Sequence, residues 1–232
     1  MAYVWKKRLG RVWREWCRPI IAVVIVLCTF RSAVADWHDV PTGSMKPTVL
    51  EGDRIVVNKL AYDLRVPFTG WRLVSWGDPA PGDVVILFSP DSGERLVKRV
   101  VAGPGDTVEL IRNQLVINGR PLAYGPLDQD TVEQIDAAQR GRHQFAAERV
   151  GKHDHPVMST PASPAPRTFG PTVVPADEYF VMGDNRDGSR DSRFFGTVRR
   201  NAIVGRVFGI AFSLNGEHYY LPRLDRFFRA VP

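Results

Sequence analysis

The sequence predicts a mainly β domain carried behind one N-terminal apolar helix. Three observations support this. Short runs rich in β-branched residues recur from Val40 onward, Gly and Pro punctuate them throughout, and no alternation of strand and helix suggests a doubly wound sheet. A single apolar run, Pro19 to Phe30, precedes all of this.

The N-terminal segment comes first. Residues 1–18 carry Lys6, Lys7, Arg8, Arg11, Arg14 and Arg18 against Glu15 alone, a net +5 out of the chain's +6. The remaining residues are therefore nearly neutral. That layout argues against a nucleic-acid partner and for a topology signal ahead of an apolar helix. Two readings fit the apolar run. A basic region, twelve apolar residues and Ala33-Val34-Ala35 resemble a cleaved signal peptide, with a mature chain starting at Asp36. Alternatively, a helix from about Cys17 to Trp37 would rise roughly 30 Å and cross a bilayer as an anchor. In that case Arg31 would snorkel to the outer interface, and Trp13, Trp16 and Trp37 would mark the two boundaries. The downstream motifs favour the anchor. The expected division is a basic cytoplasmic tail at 1–18, a transmembrane anchor at 19–37 and an extracytoplasmic β-domain at 38–232. The only two cysteines, Cys17 and Cys28, lie in or beside the apolar segment, so no disulfide staples the β-domain.

Strands are expected at Arg54–Leu60, Val84–Ser89, Arg95–Val101, Thr107–Arg112, Leu115–Asn118, Glu178–Met182, Ala202–Phe212 and His218–Leu221. Asn118-Gly119 supplies a turn after the paired strands. Residues 127–170 read differently, as an insertion that is poorly ordered in part. Thr131 to Val150 is polar with scattered apolar residues and could hold a helix. The Pro- and Ser-rich stretch from Ser159 to Pro166 reads as a loop.

Three segments carry chemistry. In Pro41-Thr42-Gly43-Ser44-Met45-Lys46-Pro47-Thr48, glycine permits a tight turn that presents the Ser44 hydroxyl, although a lone Gly-Ser pair is usually a plain turn. Pro47 at the third position after Ser44 excludes the Ser-x-x-Lys motif. In Arg95-Leu96-Val97-Lys98-Arg99-Val100-Val101, strand alternation puts Lys98 on one face with Leu96 and Val100. An ammonium there loses hydration, its pKa falls, and the neutral amine can act as a base. An edge-strand lysine guarding against aggregation is the rival explanation. The third segment runs from Gly183 to Arg193 and is dense in charge, but its acids lack the spacing of a calcium loop. His153-x-His155 has no Cys or Glu framework around it, so no metal or other cofactor is expected.

Together, and in this order, the anchor, the Ser44 segment, Gly52-Asp53, Lys98 to Asp106 and Gly183 to Arg193 closely resemble the bacterial type I signal peptidases, over residues 1 to about 212. The resemblance implies an antiparallel, barrel-like β-domain with a hydrophobic surface beside the membrane. It implies an inner-membrane serine endopeptidase with its catalytic domain on the periplasmic side, acting on exported preproteins after small residues at −3 and −1. Residue by residue, Ser44 matches the nucleophile and Lys98 the general base. Thr42 matches a hydroxyl that joins the Ser44 N–H in the oxyanion hole. Ser189 matches the residue orienting the base, and Asp191 with Arg193 a supporting pair; Asp184 and Arg186 also match supporting positions. The chain has one span where some relatives have two, and the insertion at 127–170 matches no motif. A conjugative-transfer pilin peptidase of the same family, a soluble repressor-type autoprotease and a non-catalytic membrane adaptor are the competing readings. The autoprotease lacks support, because an anchor stands where a DNA-binding domain would.

Overall fold

The computed structural model describes residues 13–216 and 219–232. Lys6, Lys7, Arg8, Arg11 and His218 lie outside the described residues. A continuous helical segment, Trp13–Ala33, has mean hydropathy 1.6 over its most apolar window. Most of it is the α-helix α1, Arg18–Ala33, with Pro19 in the first turn, where no N–H is needed. Its large apolar side chains, from Ile20 to Phe30, are mostly exposed, so nothing in the β-domain covers them. The helix stops four residues before Trp37. From Ala35 the backbone is claimed by strand pairing, and Trp37 belongs to the first strand, β1 (Ala35–Asp39), which pairs with β2 (Asp53–Asn58). Arg31 stays near this junction, pairing with Asp36 at 2.8 Å and stacking on Trp37 at 4.6 Å.

The strands that follow are β3 (Asp63–Arg65), β4 (Arg72–Ser75), β5 (Val84–Phe88), β6 (Arg95–Ala102), β7 (Thr107–Ile111) and β8 (Gln114–Ile117). Asn118 and Gly119, both at positive φ, turn β8 into β9 (Arg120–Pro121). Two-residue β10 (Tyr124–Gly125) leads into the insertion. Beyond it come β13 (Phe169–Val173), β14 (Glu178–Met182), β15 (Val198–Arg199), β16 (Ile203–Asn215), β17 (Leu221–Pro222) and β18 (Arg229–Ala230), with the one-turn helix α4 (Ser192–Phe195) after β14. The main sheet has nine strands in the order β1-β2-β16-β5-β6-β14-β15, with β17 and β18 both on β16. Every pairing between named strands is antiparallel. The expected β-runs are therefore strands to within a few residues, except that the last begins at Leu221.

Burial explains the pattern. In β2, Asp53, Ile55 and Val57 are buried while their neighbours are half-buried, the period of a one-sided strand. Val84 to Leu87 is buried throughout, as expected for a short apolar run deep in a sheet. Ile55, Val57, Val84 and Ile86 pack with Met45 and Val49 on one face; Val85, Leu87, Val100 and Val181 pack on the other. Each such side chain contributes about 1.5–3 kcal/mol.

The insertion departs from expectation. Thr131 to Val150 is not one helix. It contains α2 (Gln129–Glu133), α3 (Ala137–Arg140) and β11 (Gln144–Val150), which turns at Gly151 into β12 (His153–Ser159). Polar residues in this stretch are not all solvent-facing: Glu148 and His155 are fully buried. That hides the strand alternation from the sequence.

Asp53, in β2, is closed off by a buried ion pair. Its carboxylate accepts from Leu50 N at 2.8 Å and from Arg226 Nε at 3.1 Å, and Arg226 also donates to Thr48 O. Arg226 is 1 % exposed and Asp53 wholly buried. Removing one partner of such a pair strands a charge, at a typical cost of about 3–5 kcal/mol. Arg226→Leu should lower unfolding stability by that amount, read as a shifted urea midpoint in detergent.

Candidate active site

The Ser44 turn grows out of β1. Thr42 is extended, and Gly43–Met45 form a single 3₁₀ turn closed by Lys46 N donating to Gly43 O at 3.1 Å. Met45 is buried in the core below and anchors the turn. The turn is also clamped from outside. Asn185 donates its backbone N–H to Ser44 O at 3.1 Å and its Nδ2 to Gly43 O at 3.0 Å. Gly183 allows this approach, because a Cβ there would lie 2.4 Å from Ser44 O and 2.3 Å from Ser189 Oγ.

Lys98 sits in β6 opposite Val85 and is 2 % exposed. Its Nζ donates to Ser44 Oγ at 2.8 Å and to Val97 O at 3.0 Å. Burial pushes the Lys98 ammonium down to about 8, and the nearby Asp191 and Asp184 carboxylates do not offset it. Once neutral, the amine accepts a hydrogen bond from the Ser44 hydroxyl, reversing the donor.

The neighbouring Arg99 does a different job. Its guanidinium grips Asp184 at 2.9 and 2.8 Å, both residues essentially unexposed, and reaches Gly82 O and Pro232 O. Asp184 also accepts from the Thr48 hydroxyl. Burial alone would raise the Asp184 carboxyl, but Arg99 and His155 hold it below the usual carboxylate range. Asp191 accepts from Arg193 Nε at 2.8 Å and from Gly183 N at 3.0 Å, so this buried pair fixes the loop next to Ser44. Arg186 forms a buried pair with Glu148 of the insertion, with Nη1 at 2.8 Å.

Two matched residues stand apart from this web. The Ser189 hydroxyl is buried beside Gly183 yet makes no hydrogen bond among the described residues, and none to Lys98, whose nearest acceptors are Ser44 and Val97. Thr42 is exposed, and its hydroxyl has no partner among the described residues. Conversely, Arg99, Asn185, Thr48, Gly183 and Glu148 hold the site together without having been assigned roles from sequence. Adjacent placement was a usable signal for Arg99, which strand alternation sends away from Lys98. Nothing in the sequence marked Glu148. No group of three or more metal-ligating side chains occurs among the described residues.

Comparison with known proteins identifies the family. A family model described as signal peptidase, peptidase S26 matches residues 13–212. The signal peptidase I of Pseudomonas fluorescens is 34 % identical over 207 residues, covering 84 % of this chain and 70 % of that protein. Signal peptidase I T of Bacillus subtilis strain 168 is 30 % identical over 210 residues, covering 90 % of each. The signal peptidase I of Aquifex aeolicus is 29 % identical, over 86 % of this chain and 84 % of its own length. The chain belongs to the signal peptidase family of S26 serine peptidases.

Proposed function

We propose that Ser44 and Lys98 are the nucleophile and general base with which this serine endopeptidase removes signal peptides from exported preproteins. The observation that carries the assignment is the 2.8 Å contact between Ser44 Oγ and a buried lysine amine. The neutral amine takes the hydroxyl proton as Oγ attacks the scissile carbonyl, then passes it to the leaving amine. Water repeats the cycle on the acyl-enzyme. Negative charge on the carbonyl oxygen is met by the Ser44 N–H and by the free hydroxyl of Thr42.

The substrate lies extended between two open strand edges. The outer edge of β1 is unpaired among the described residues, and so is β6 from Arg95 to Lys98, since β14 pairs only from Arg99 onward. The edges face one another, for Arg95 Nη1 meets His38 Nδ1 at 3.0 Å. Small residues at −3 and −1 fit beside such closely held edges.

We further propose that α1 is retained as an inner-membrane anchor, with the basic tail in the cytoplasm and the β-domain in the periplasm. The +5 charge before α1 supports this orientation. Retention is supported by the junction itself: Ala35 pairs with Asn58, and Lys59 Nζ donates to Arg31 O at 3.0 Å. Cleavage after Ala35 would cut the start of β1. Exposed Phe68, Trp71, Leu73, Val74 and Trp76 lie on and around the β3–β4 hairpin, and Phe68 N donates to Ser32 Oγ beside the end of α1. An apolar, aromatic surface beside the end of α1 supports contact with lipid headgroups there.

The test compares detergent-solubilised protein with its variants on a preprotein. Ser44→Ala should abolish cleavage. The kcat/KM of the wild type should rise with pH and level off above about 8, because the active form is the deprotonated amine; well below that pH it should fall about tenfold per unit. Lys98→Arg should be folded by circular dichroism yet inactive, since guanidinium stays protonated. Near-normal turnover in Lys98→Arg would remove Lys98 from the role of base.

Thr42→Ser should keep activity, and Thr42→Val should lose about 10²–10³ in kcat with little change in KM or stability. Replacing alanine by phenylalanine at −1 of the substrate should nearly abolish turnover, and equal cleavage of the two would refute the small-residue preference.

A further inference from the structure

A second cleft, of about 670 Å³, opens beside the Ser44 turn. One wall is the end of β1 and the turn itself, with Pro41 and Lys46; the other is the insertion, with Glu133, Gln134, Asp136 and Arg140. Ser44 and Lys98 do not line it, so it is distinct from the place of bond cleavage. Its volume is that of a ligand-binding site, and charged side chains stand among apolar ones along both walls.

We infer that this cleft receives the stretch of preprotein immediately downstream of the scissile bond, and that it favours a basic residue there. The inference rests on the function proposed above, and chain direction supplies the first argument. A signal peptide leaves the bilayer, passes the cutting site and continues as the mature protein. The strand β1 follows the same course, starting at the end of α1 and running to Pro41. β6 runs the same way, since an even number of antiparallel steps separates it from β1. His38 and Arg95 therefore mark the membrane end of the groove, and Ser44 with Lys98 its far end. A substrate strand following that direction passes Ser44 and meets the wall formed by Pro41 and Lys46.

Charge supplies the second argument. The cations on the cleft walls all have partners, Arg223 donating to Glu51 O and to Ser213 Oγ, both at 3.1 Å. Lys46 pairs with Glu51 at 2.9 Å, Arg54 pairs with Asp39, and Arg140 donates to Ile135 O at 3.1 Å and Glu133 O at 3.0 Å. The four cations of the cleft, Lys46, Arg54, Arg140 and Arg223, balance its four carboxylates, Asp39, Glu51, Glu133 and Asp136, but the last two stand outside any ion pair among the described residues. Glu133 has no side-chain partner among the described residues, and Asp136 accepts only from the backbone N–H of Ala138, at 2.7 Å. The cleft continues past Glu133 into a shallower one lined by Asp128, Asp130 and Asp225, with Arg229 the only cation. A polypeptide leaving Ser44 thus runs towards growing negative potential.

Peptide substrates that share one signal-side sequence test this. One set is shortened stepwise from the downstream end; a second set carries a single Lys or Glu at each position from +2 to +8. Substrates that stop at +2 should show at least about a tenfold lower kcat/KM than long ones, through KM, as expected when uniform binding is lost. Lys at the positions that reach the insertion should give a KM about three- to tenfold lower than Glu there, a ratio that shrinks at high salt. In the double variant Glu133→Lys/Asp136→Lys, the order of Lys and Glu substrates should invert at the same positions. Both residues are exposed, but Asp136 caps α3, so the urea midpoint of the double variant is measured beside its kinetics, and the single variant Glu133→Lys, which removes no cap, should shift the Lys-to-Glu ratio in the same direction. Ser44-dependent cleavage with no response to downstream length, or with the same Lys-to-Glu ratio in the double variant, overturns the inference and leaves the dyad standing. If no peptide is cut in a Ser44-dependent manner, the dyad assignment fails, and with it the premise of the cleft.

Discussion

The site depends on one buried ion pair, Arg99 with Asp184. Arg99 follows Lys98 in β6, and Asp184 precedes Asn185 in the loop after β14. Joining them locks the strand carrying the lysine to the loop that clamps the serine turn. Burying two charges is expensive, and only good geometry with further hydrogen bonds repays it. Here the guanidinium is fork-on to the carboxylate and its remaining N–H reaches two carbonyls, while Asp184 also accepts from Thr48. Thr48 lies four residues beyond Ser44, so the same carboxylate holds the serine segment at its other end. Side chains on three separate stretches of chain are thereby held to the sub-ångström precision that a 2.8 Å contact between Ser44 and Lys98 demands.

The same pairing lets the lysine lose its proton more easily. Carboxylates lie close enough to Lys98 to hold it protonated, yet each is spent elsewhere. Asp184 is matched by Arg99 and Asp191 by Arg193, so neither is available as a direct partner of the amine. Desolvation then prevails and brings Lys98 down to about 8. The arginines thus let acids shape the loops around Lys98 without holding it protonated.

Ser44 and Lys98 were legible through the order of the motifs that resemble the signal peptidases, since a serine after glycine or a lysine on the face of Leu96 and Val100 would alone also fit a plain turn or an edge strand. The strands were legible through β-branched runs and Gly-Pro punctuation. The helix end was not. Residues 34–37 are apolar enough to extend α1, and only pairing with β2, a tertiary interaction, diverts them. The insertion was illegible for a related reason. Glu148 and His155 read as surface residues, since an isolated sequence cannot show that Arg186, some forty positions away, meets Glu148. Ser189 marks another limit. Its position matches a base-orienting residue, but its hydroxyl is unpartnered and Lys98 turns to Val97 O instead.

The insertion is therefore more than an elaboration of the surface. Arg186 Nη1 meets Glu148 in β11, while Arg193 donates to the backbone carbonyl of Arg186. Met158 in β12 donates its N–H to Asp184 O at 2.8 Å. The loop from Gly183 to Arg193 is thus held between the main sheet, through Arg99, and the insertion, through Glu148 and Met158. Burial and the Arg186 guanidinium oppose each other at Glu148, and the net effect keeps its carboxyl well below the usual range, so the pair stays charged throughout the pH range in which Lys98 titrates. The support under the serine turn is consequently insensitive to pH in the range where Lys98 titrates. In the proposed mechanism, activity can then follow the protonation of Lys98 without the loop that positions Ser44 loosening at the same time.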